Sequence, residues 1–399
     1  MATAPGYRWY LLGQVADTIG VWMQRLAIGW LVWELTHSAG WLGVMSFLKY
    51  APTILLGLIG GWLADRFARG YIVIAVQALA VVKTGLIALL LGFDALSLPI
   101  LLALEVMIGI GIALSQAASR TIVVELVPNE QLAPAIALGS IVFNMSALIG
   151  PAIAGLIMVV LDIVACFWVI TAMFAINLVA YLCVVRRITG PGQSAGEPML
   201  RAISSALRYA VSHDGIGPLL ALHLAFTLCV RPLIELLPAF AAGVLGGDIG
   251  SVTLLTSAVG IGATMAGIYL GSRRPGRGLC RLVVHAMLGL GLVLLAFAEA
   301  PNLWIASPLA ILVGIGMTIR GAGIETLVQL ASADHLRGRV LSFYGLLLNG
   351  GAAVGGVIMG LLADGIGLRL AIVVMALAAL GVWAWVYPRR ARMIAALEA

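Results

Sequence analysis

Long apolar runs, each broken by one or a few polar residues, alternate with short polar connections along almost the whole chain. A helix that crosses the hydrocarbon layer of a bilayer needs about 20 mostly apolar residues, and the runs have this length. None shows the strict two-residue alternation of apolar and polar side chains that a membrane strand requires. The pattern therefore predicts twelve membrane-spanning helices. We number them spans 1 to 12, over residues 9–33, 41–64, 71–92, 98–119, 132–160, 163–185, 216–241, 250–271, 280–299, 303–324, 340–363 and 366–387.

Composition agrees with this pattern. Of the 399 residues, 62% are hydrophobic and 10% are charged, and the mean hydropathy is +1.11. A soluble domain carries about 45–50% apolar and about 25% charged residues. The composition thus excludes a water-soluble globule, and the missing alternation excludes a β-barrel. We predict an all-α, polytopic membrane protein.

The formal net charge of +6 would by itself suggest a nucleic-acid partner. When the twelve spans are threaded through a membrane, however, 17 of the 23 Lys and Arg residues fall on one side, together with both termini. Basic residues concentrate in cytoplasmic loops. We therefore expect a protein of the bacterial inner membrane with both termini on the cytoplasmic side, and we expect no nucleic-acid partner.

Two parts of the chain resemble each other at a separation of 204–205 residues. GIGIALSQAASRTIVVELVPNEQL, over 109–132, corresponds to GIGMTIRGAGIETLVQLASADHL, over 314–336. NMSALIGPAIAGLIM, over 144–158, corresponds to NGGAAVGGVIMGLLA, over 349–363. Internal repeats of this kind are typical of transporters. The predicted division is a six-helix half over 1–187, a cytoplasmic linker with an interfacial helix over 188–213, and a second six-helix half over 214–399.

A charged cluster interrupts the apolar pattern between spans 2 and 3, in the stretch GGWLADRFARG. Such a cluster at a helix end either anchors the topology or contacts and releases a neighbouring helix end. The stretch resembles the motif Gly-x-x-x-Asp-Arg-x-Gly-Arg-Arg of the major facilitator superfamily. The similarity covers nearly the whole chain and is greatest to the bacterial branch with the enterobactin exporter and macrolide-efflux proteins. The matching residues are Gly61, Asp65, Arg66 and Arg69, while Ala68 and Gly70 depart from the motif. The resemblance implies a gating hinge that stabilises one state of an alternating-access cycle.

Span 5 carries a second resemblance to this superfamily. Its exporting members have a Gly-rich pattern that ends in Gly-Pro-x-x-Gly-Gly, and Gly150, Pro151 and Gly155 stand at matching places. Other places of the pattern hold Ala or Ser. Pro151 removes a backbone donor and permits a bend, and Gly155 allows close helix packing. The resemblance implies export; import, or an ordinary kinked contact between helices, remain the alternatives.

Ionisable residues inside a membrane are costly, so they usually face a cavity or one another. At about 100° per residue, the polar residues of span 1 share one arc, which predicts that they line a cavity. The candidates for the cavity wall are Gln14, Arg25, Lys49, Lys83, Gln116, Asn144, His223, Arg231 and Arg320. Embedded bases outnumber embedded acids five to three, which favours anionic or strongly hydrogen-bonding solutes. Structural ion pairs, such as Arg231 with Glu235, are the alternative.

Uphill transport without ATP requires a group that gains and loses a proton as access alternates. Asp17 is our first candidate because it shares its arc with Gln14 and Arg25. Glu105 and Glu235 are the competing carboxylates.

Enzyme chemistry is missing from the sequence. It contains no HExxH, no Walker motif and no nucleophile elbow, and its four cysteines form no CxxC. We predict no enzyme, no cofactor and no metal site. The expected function is secondary transport, as a monomer in the bilayer, with proton-coupled export of a small organic, anionic or polar solute. The alternatives are ion-coupled uptake and a transporter-like sensor or scaffold without flux.

Overall fold

The structure is a computed structural model, and it describes residues 5–66, 69–185, 207–209, 213–273 and 278–398. Every regular element within these ranges is helical. Spans 1 to 6 correspond to six long helices. They are α1 (Pro5–Thr36), α2 (Ala39–Arg66), α3 (Arg69–Gly92), α4 (Leu98–Leu126), α5 (Asn129–Val160) and α6 (Ile163–Val184).

The second half of the chain begins with a broken helix. Span 7 comprises α7 (Ile216–Cys229), α8 (Pro232–Pro238) and a π-helical segment (Ala239–Val244). The predicted span is present over Ile216–Glu235. Its helix is interrupted after Cys229, because Pro232 lacks the N–H that would continue the helical hydrogen bonds and its ring disfavours the preceding helical turn. The remaining elements are α9 (Ile249–Gly271), α10 (Leu279–Ala298), α11 (Leu303–Ala331), α12 (Asp334–Ile366), α13 (Leu368–Val386), a 3₁₀ turn (Tyr387–Arg389) and α14 (Arg390–Leu397).

Eleven segments of the described chain are long and apolar enough to cross a membrane. α1 is the twelfth helix of comparable length, with 32 residues. It is less apolar because it carries Arg8, Asp17, Arg25 and Glu34. The twelve predicted helices are therefore present, and large apolar side chains such as Leu55, at 73% exposure, cover their outer surfaces.

Glycines bring pairs of helices into close contact, and the pairing recurs in the two halves. In the first half, a methyl group at Gly150 of α5 would lie 3.1 Å from the Ile19 carbonyl oxygen of α1. In the second half, a methyl at Gly355 of α12 would collide with the Leu228 carbonyl oxygen of α7. Gly150 and Gly355 are 205 residues apart. The internal repeat of the sequence is thus also a repeat of helix packing.

The chain separates into two compact units. One contains Met1–Leu35 and Leu48–Ala195, and the other contains Thr36–Phe47 and Gly196–Ala399. The beginning of α2 therefore belongs to the second unit, where Ser38 Oγ donates a hydrogen bond to Asp364 Oδ2 (2.7 Å) and the Gly40 N–H donates to the same oxygen (3.1 Å). Of the predicted linker with its interfacial helix, over 188–213, the structure describes only residues 207–209 and 213.

The end of the chain packs on the second unit. α14 buries Met393 and Leu397. The Glu398 carboxylate accepts hydrogen bonds from the backbone N–H groups of Gly278 (2.8 Å) and Cys280 (2.7 Å), at the start of α10. A carboxylate at a helix N-terminus is favourable because the unpaired N–H groups there carry partial positive charge.

Candidate functional site

A cavity of about 480 Å³ lies inside the first unit, between α1, α2, α3, α4 and α6. Its wall combines polar side chains with three aromatic rings and a few aliphatic side chains. The polar and aromatic residues of the wall are Tyr10, Gln14, Asp17, Gln24, Lys49, Gln77, Ser115, Gln116, Ser119, Phe174 and Tyr181. Of the residues predicted to line a cavity, Gln14, Lys49 and Gln116 meet here, together with Asp17.

Asp17 is held by amide side chains from two other helices. Gln77 Nε2 on α3 donates a hydrogen bond of 3.1 Å to Asp17 Oδ1, and also contacts the Phe174 carbonyl oxygen (3.2 Å). Asn177 on α6 interacts with the same carboxylate. Sequence reasoning missed Gln77 and Asn177. Each is a single amide in a long apolar run, which is the signal that could have identified them.

Lys83 and Glu105 form an ion pair between α3 and α4. Their side chains are 0% and 2% exposed, and neither lines the cavity. The sequence suggested a cavity role for Lys83 and a proton-coupling role for Glu105. The structure instead brings the two together, so that their charges cancel within the helix packing.

A second polar cluster lies in the second unit, at α7, α11 and α12. Arg320 Nη1 lies 2.7 Å from His223 Nδ1. His223 Nε2 lies 3.2 Å from the Tyr344 carbonyl oxygen, and the His223 and Tyr344 rings stack at 4.0 Å. The guanidinium carbon of Arg320 lies 3.3 Å from the centre of the Phe226 ring. His223 and Arg320, both predicted from the sequence, are therefore direct neighbours.

The remaining predicted residues are spread over both units. Arg25 lies over the Trp22 ring at 5.1 Å. Asn144 Nδ2 donates to the Ser140 carbonyl oxygen (2.8 Å) within α5. Arg231 Nη1 donates to the Leu348 carbonyl oxygen of α12 (2.8 Å), and Glu235 is half-buried in α8.

The hinge is described in part. Arg69 Nη1 forms an ion pair with Glu125 Oε1 at 3.1 Å, which links the start of α3 to the end of α4. Gly61, Asp65 and Arg66 lie near the end of α2, but the description of this stretch covers the backbone only. In span 5, Gly150 lies against α1, Pro151 lies inside α5, and Gly155 is buried.

The two halves of the chain repeat the same helix packing, and the first half encloses a polar cavity. Charged residues also lie inside the membrane-spanning helices. These features are typical of a membrane transporter rather than an enzyme. The model of the family described as "Transmembrane secretion effector" matches residues 3–398. The chain belongs to this family of the major facilitator superfamily.

Relatives of this chain include efflux proteins. It is 26% identical to the multidrug efflux pump Tap of Mycolicibacterium fortuitum over 381 residues, 91% of each chain. It is 24% identical to macrolide efflux protein A of Streptococcus pyogenes over 370 residues, 90% of this chain and 89% of the relative. The staphyloferrin A transporter of Staphylococcus aureus is 27% identical over 143 residues, 36% of each chain.

Solved transporters share the fold. A bacterial homologue of the human lysosomal transporter Spinster superimposes with a TM-score of 0.74 at 16% identity, over 100% of this chain and 99% of that one. A POT family transporter in complex with 5-aminolevulinic acid gives a TM-score of 0.72 at 14% identity, over 97% and 96%. The prediction of a major facilitator fold is confirmed.

Proposed function

We propose that the protein exports a small polar organic solute across the bacterial inner membrane in exchange for protons, by alternating access and with both termini in the cytoplasm. The Tap and macrolide relatives, which align over about nine-tenths of the chain, are efflux proteins by name. Without a motif for ATP, an ion gradient supplies the energy for uphill export.

The observation that carries the proposal is a carboxylate at the wall of the cavity. Asp17 lines the cavity and accepts a hydrogen bond from Gln77. A proton on Asp17 removes a negative charge from the wall and turns one carboxylate oxygen into a donor. The Asp17 carboxylate oxygens would contact the solute and would also accept the proton. Binding of the solute therefore changes the affinity for the proton, and the reverse also holds. This is the coupling that an exchanger requires.

The cavity wall also suggests the chemistry of the solute. It contains one carboxylate, Asp17, and one ammonium group, Lys49, together with side-chain amides and hydroxyls. A volume of about 480 Å³ falls within the range of about 300–1,000 Å³ of small-molecule sites. Since the buried pair of Lys83 and Glu105 is neutral overall, the first unit favours a solute rich in hydrogen-bonding groups. The anionic character expected from the sequence depends on the second unit.

The hinge would control access in this cycle. The pair of Arg69 and Glu125 joins the ends of two helices that line the cavity. Such a partly exposed pair is worth only about 0.2–1 kcal/mol. It can therefore be broken and remade during a cycle at little energetic cost, and we place Asp65 and Arg66 in the same role.

Two measurements test the proposal. Untargeted metabolite profiling of cells with and without the protein should identify a solute that accumulates inside when the protein is absent. In everted membrane vesicles, Asp17→Asn should then abolish accumulation of that solute driven by a pH gradient, while downhill exchange continues, because the variant keeps the cavity but cannot release a proton.

Asp248→Asn is the matched control. Asp248 caps α9 outside the apolar spans, and Asn is an equally good N-cap, so this variant should transport like the wild type. Undiminished uphill transport by Asp17→Asn would reject Asp17 as the coupling residue. Accumulation of the solute inside energised cells that contain the protein would reject export.

A further inference from the structure

Arg320 is a buried cation without a matching anion. The residue is 3% exposed, and no carboxylate of the described chain forms an ion pair with it. Glu325, on the same helix, is exposed to the surroundings. A charged side chain inside a membrane is costly unless it is paired or faces a cavity. Lys83 is paired with Glu105, whereas Arg320 has no such carboxylate partner among the described residues.

The neighbours of Arg320 leave its charge uncompensated. A guanidinium has only donors, so His223 Nδ1 must accept the hydrogen bond from Arg320 Nη1. His223 Nε2 faces the Tyr344 carbonyl oxygen and must therefore carry the ring hydrogen. These two contacts define a neutral imidazole. The Phe226 ring offsets the guanidinium charge only in part, through its negative face.

One edge of the Arg320 guanidinium has hydrogen-bond donors that no described residue satisfies. Only Nη1 donates to a residue of the described chain. Nε is buried and makes no hydrogen bond. Nε and the outer Nη2 form the edge that binds a carboxylate through two parallel hydrogen bonds. His223 and Phe226 therefore orient the guanidinium, and the described residues supply no acceptor for this edge.

The internal repeat places this cluster at a position equivalent to the wall of the first cavity. Arg320 follows Ser115 by 205 residues and Gln116 by 204, and both of these residues line the cavity. His223 follows Asp17 by 206 residues, the separation that also relates Arg25 to Arg231. Two independent helices, α7 and α11, thus carry polar residues at the positions that face the solute cavity in the first half.

We infer that Arg320 binds a carboxylate group of the transported solute, and that His223 and Phe226 hold the guanidinium in position for it. This inference rests on the proposed function, since it names a chemical class for the exported solute. A carboxylate at the Nε–Nη2 edge would satisfy the orphaned donor and neutralise the buried charge at the same time.

The test is a binding measurement with benzoate and benzamide, which have nearly the same shape and differ in charge. The full-length protein is purified in uncharged detergent without added lipid, so that a lipid headgroup cannot be the source of the anion. Benzoate should raise the midpoint of thermal unfolding, and benzamide at the same concentration should not. Two charge-assisted hydrogen bonds are worth enough that Arg320→Gln should weaken benzoate binding by about tenfold or more.

Two further variants sharpen the result. Arg320→Lys keeps the charge but loses the fork, so its preference for benzoate over benzamide should fall between those of the wild type and Arg320→Gln. Arg273→Gln, at an exposed arginine next to Tyr269, should bind benzoate like the wild type. If Arg320→Gln fails to fold, the wild type and Arg320→Lys still decide the question.

Equal binding of benzoate and benzamide by the wild type would overturn the inference, and so would unchanged benzoate binding by Arg320→Gln. Neither measurement uses a proton gradient. The binding measurements can therefore reject the anion site at Arg320 without rejecting proton-coupled export at Asp17, and the transport measurements can reject proton coupling without rejecting the anion site.

Discussion

Lys83 and Glu105 neutralise each other between α3 and α4, where both side chains are almost completely buried. Removing one partner of a buried pair leaves an uncompensated charge and costs about 3–5 kcal/mol, whereas replacing both by apolar residues is often neutral. We expect Glu105→Met and Lys83→Met each to lower the free energy of unfolding strongly, and the double variant to recover most of the loss. Thermal unfolding of the purified variants measures this.

If the losses of the two single variants simply add in the double variant, the pair is not coupled. Glu105 would then be available for proton coupling, as the sequence alone allowed.

Arg69 and Glu125 form a more exposed pair, with side chains 18% and 24% accessible. Because such a pair adds little to stability, we expect Arg69→Glu to slow turnover while folding and solute binding remain nearly unchanged. The charge-swapped double variant Arg69→Glu with Glu125→Arg should recover turnover. Initial rates of transport and equilibrium solute binding separate the two effects. Loss of binding in the single variant would contradict a gating role.

At this scale the sequence identified several polar residues of the cavity but few of their partners. Asp17 stood out because it shares one helical arc with other polar residues. Gln77 and Asn177 did not, since each is the isolated polar residue of its surroundings. The pairing of Lys83 with Glu105 joins α3 to α4, and no periodicity within one helix predicts a contact between helices.

Glycine contacts determine how closely the helices of each half approach. A methyl at Gly355 would collide with the Leu228 carbonyl oxygen, which cannot move without α7. We expect Gly355→Ala to lower the free energy of unfolding by about 1–3 kcal/mol, as overpacking does. Gly267, in α9, has open space around its added methyl, so Gly267→Ala should stabilise by about 0.5–1 kcal/mol. Thermal unfolding measures both changes. If the two variants shifted the unfolding midpoint in the same direction, this account would be contradicted.

The start of α9 should depend on pH. Asp248 accepts hydrogen bonds from the Ser251 N–H (3.0 Å) and from Ser251 Oγ (3.2 Å), and these donors hold the pKa of Asp248 below its usual range. The cap is thus complete above the ordinary carboxylate value of about 3.9 and is lost as the pH falls through the lower, folded value. Hydrogen exchange of the first amides of α9 should reveal this loss, corrected for intrinsic rates.

Asp248→Asn is the comparison for this pH effect, because the amide caps the helix but does not titrate in this range. The same pH dependence in wild type and variant would contradict the assignment.

Hydrophobic runs predicted the long helices well, and two departures have physical causes. Span 7 is broken because Pro232 outweighs the apolar pattern around it. α14 has only eight residues, two of them arginines, so hydropathy gives no sign of it. It is held by packing of Met393 and Leu397 and by the hydrogen bonds of Glu398 to α10.

At the scale of the whole molecule, the repeat was visible in the sequence because the same glycines must meet the same neighbouring helices in each half. The solute was not visible, because it depends on which polar side chains share a cavity. The first unit gathers Asp17, Lys49 and several amides around its cavity, and the second buries Arg320 beside His223. The proposed exporter thus has different chemistry in two halves of related packing.

The central claim is that solute export is tied to protons through Asp17. The most direct measurement is the internal pH of sealed proteoliposomes that contain a trapped pH-sensitive dye, followed after addition of the solute that metabolite profiling identifies. With the wild type, adding the solute should start proton movement in the direction opposite to the solute. With Asp17→Asn, the solute should still exchange, and the internal pH should stay constant. Solute-driven proton movement as fast in Asp17→Asn as in the wild type would contradict the account.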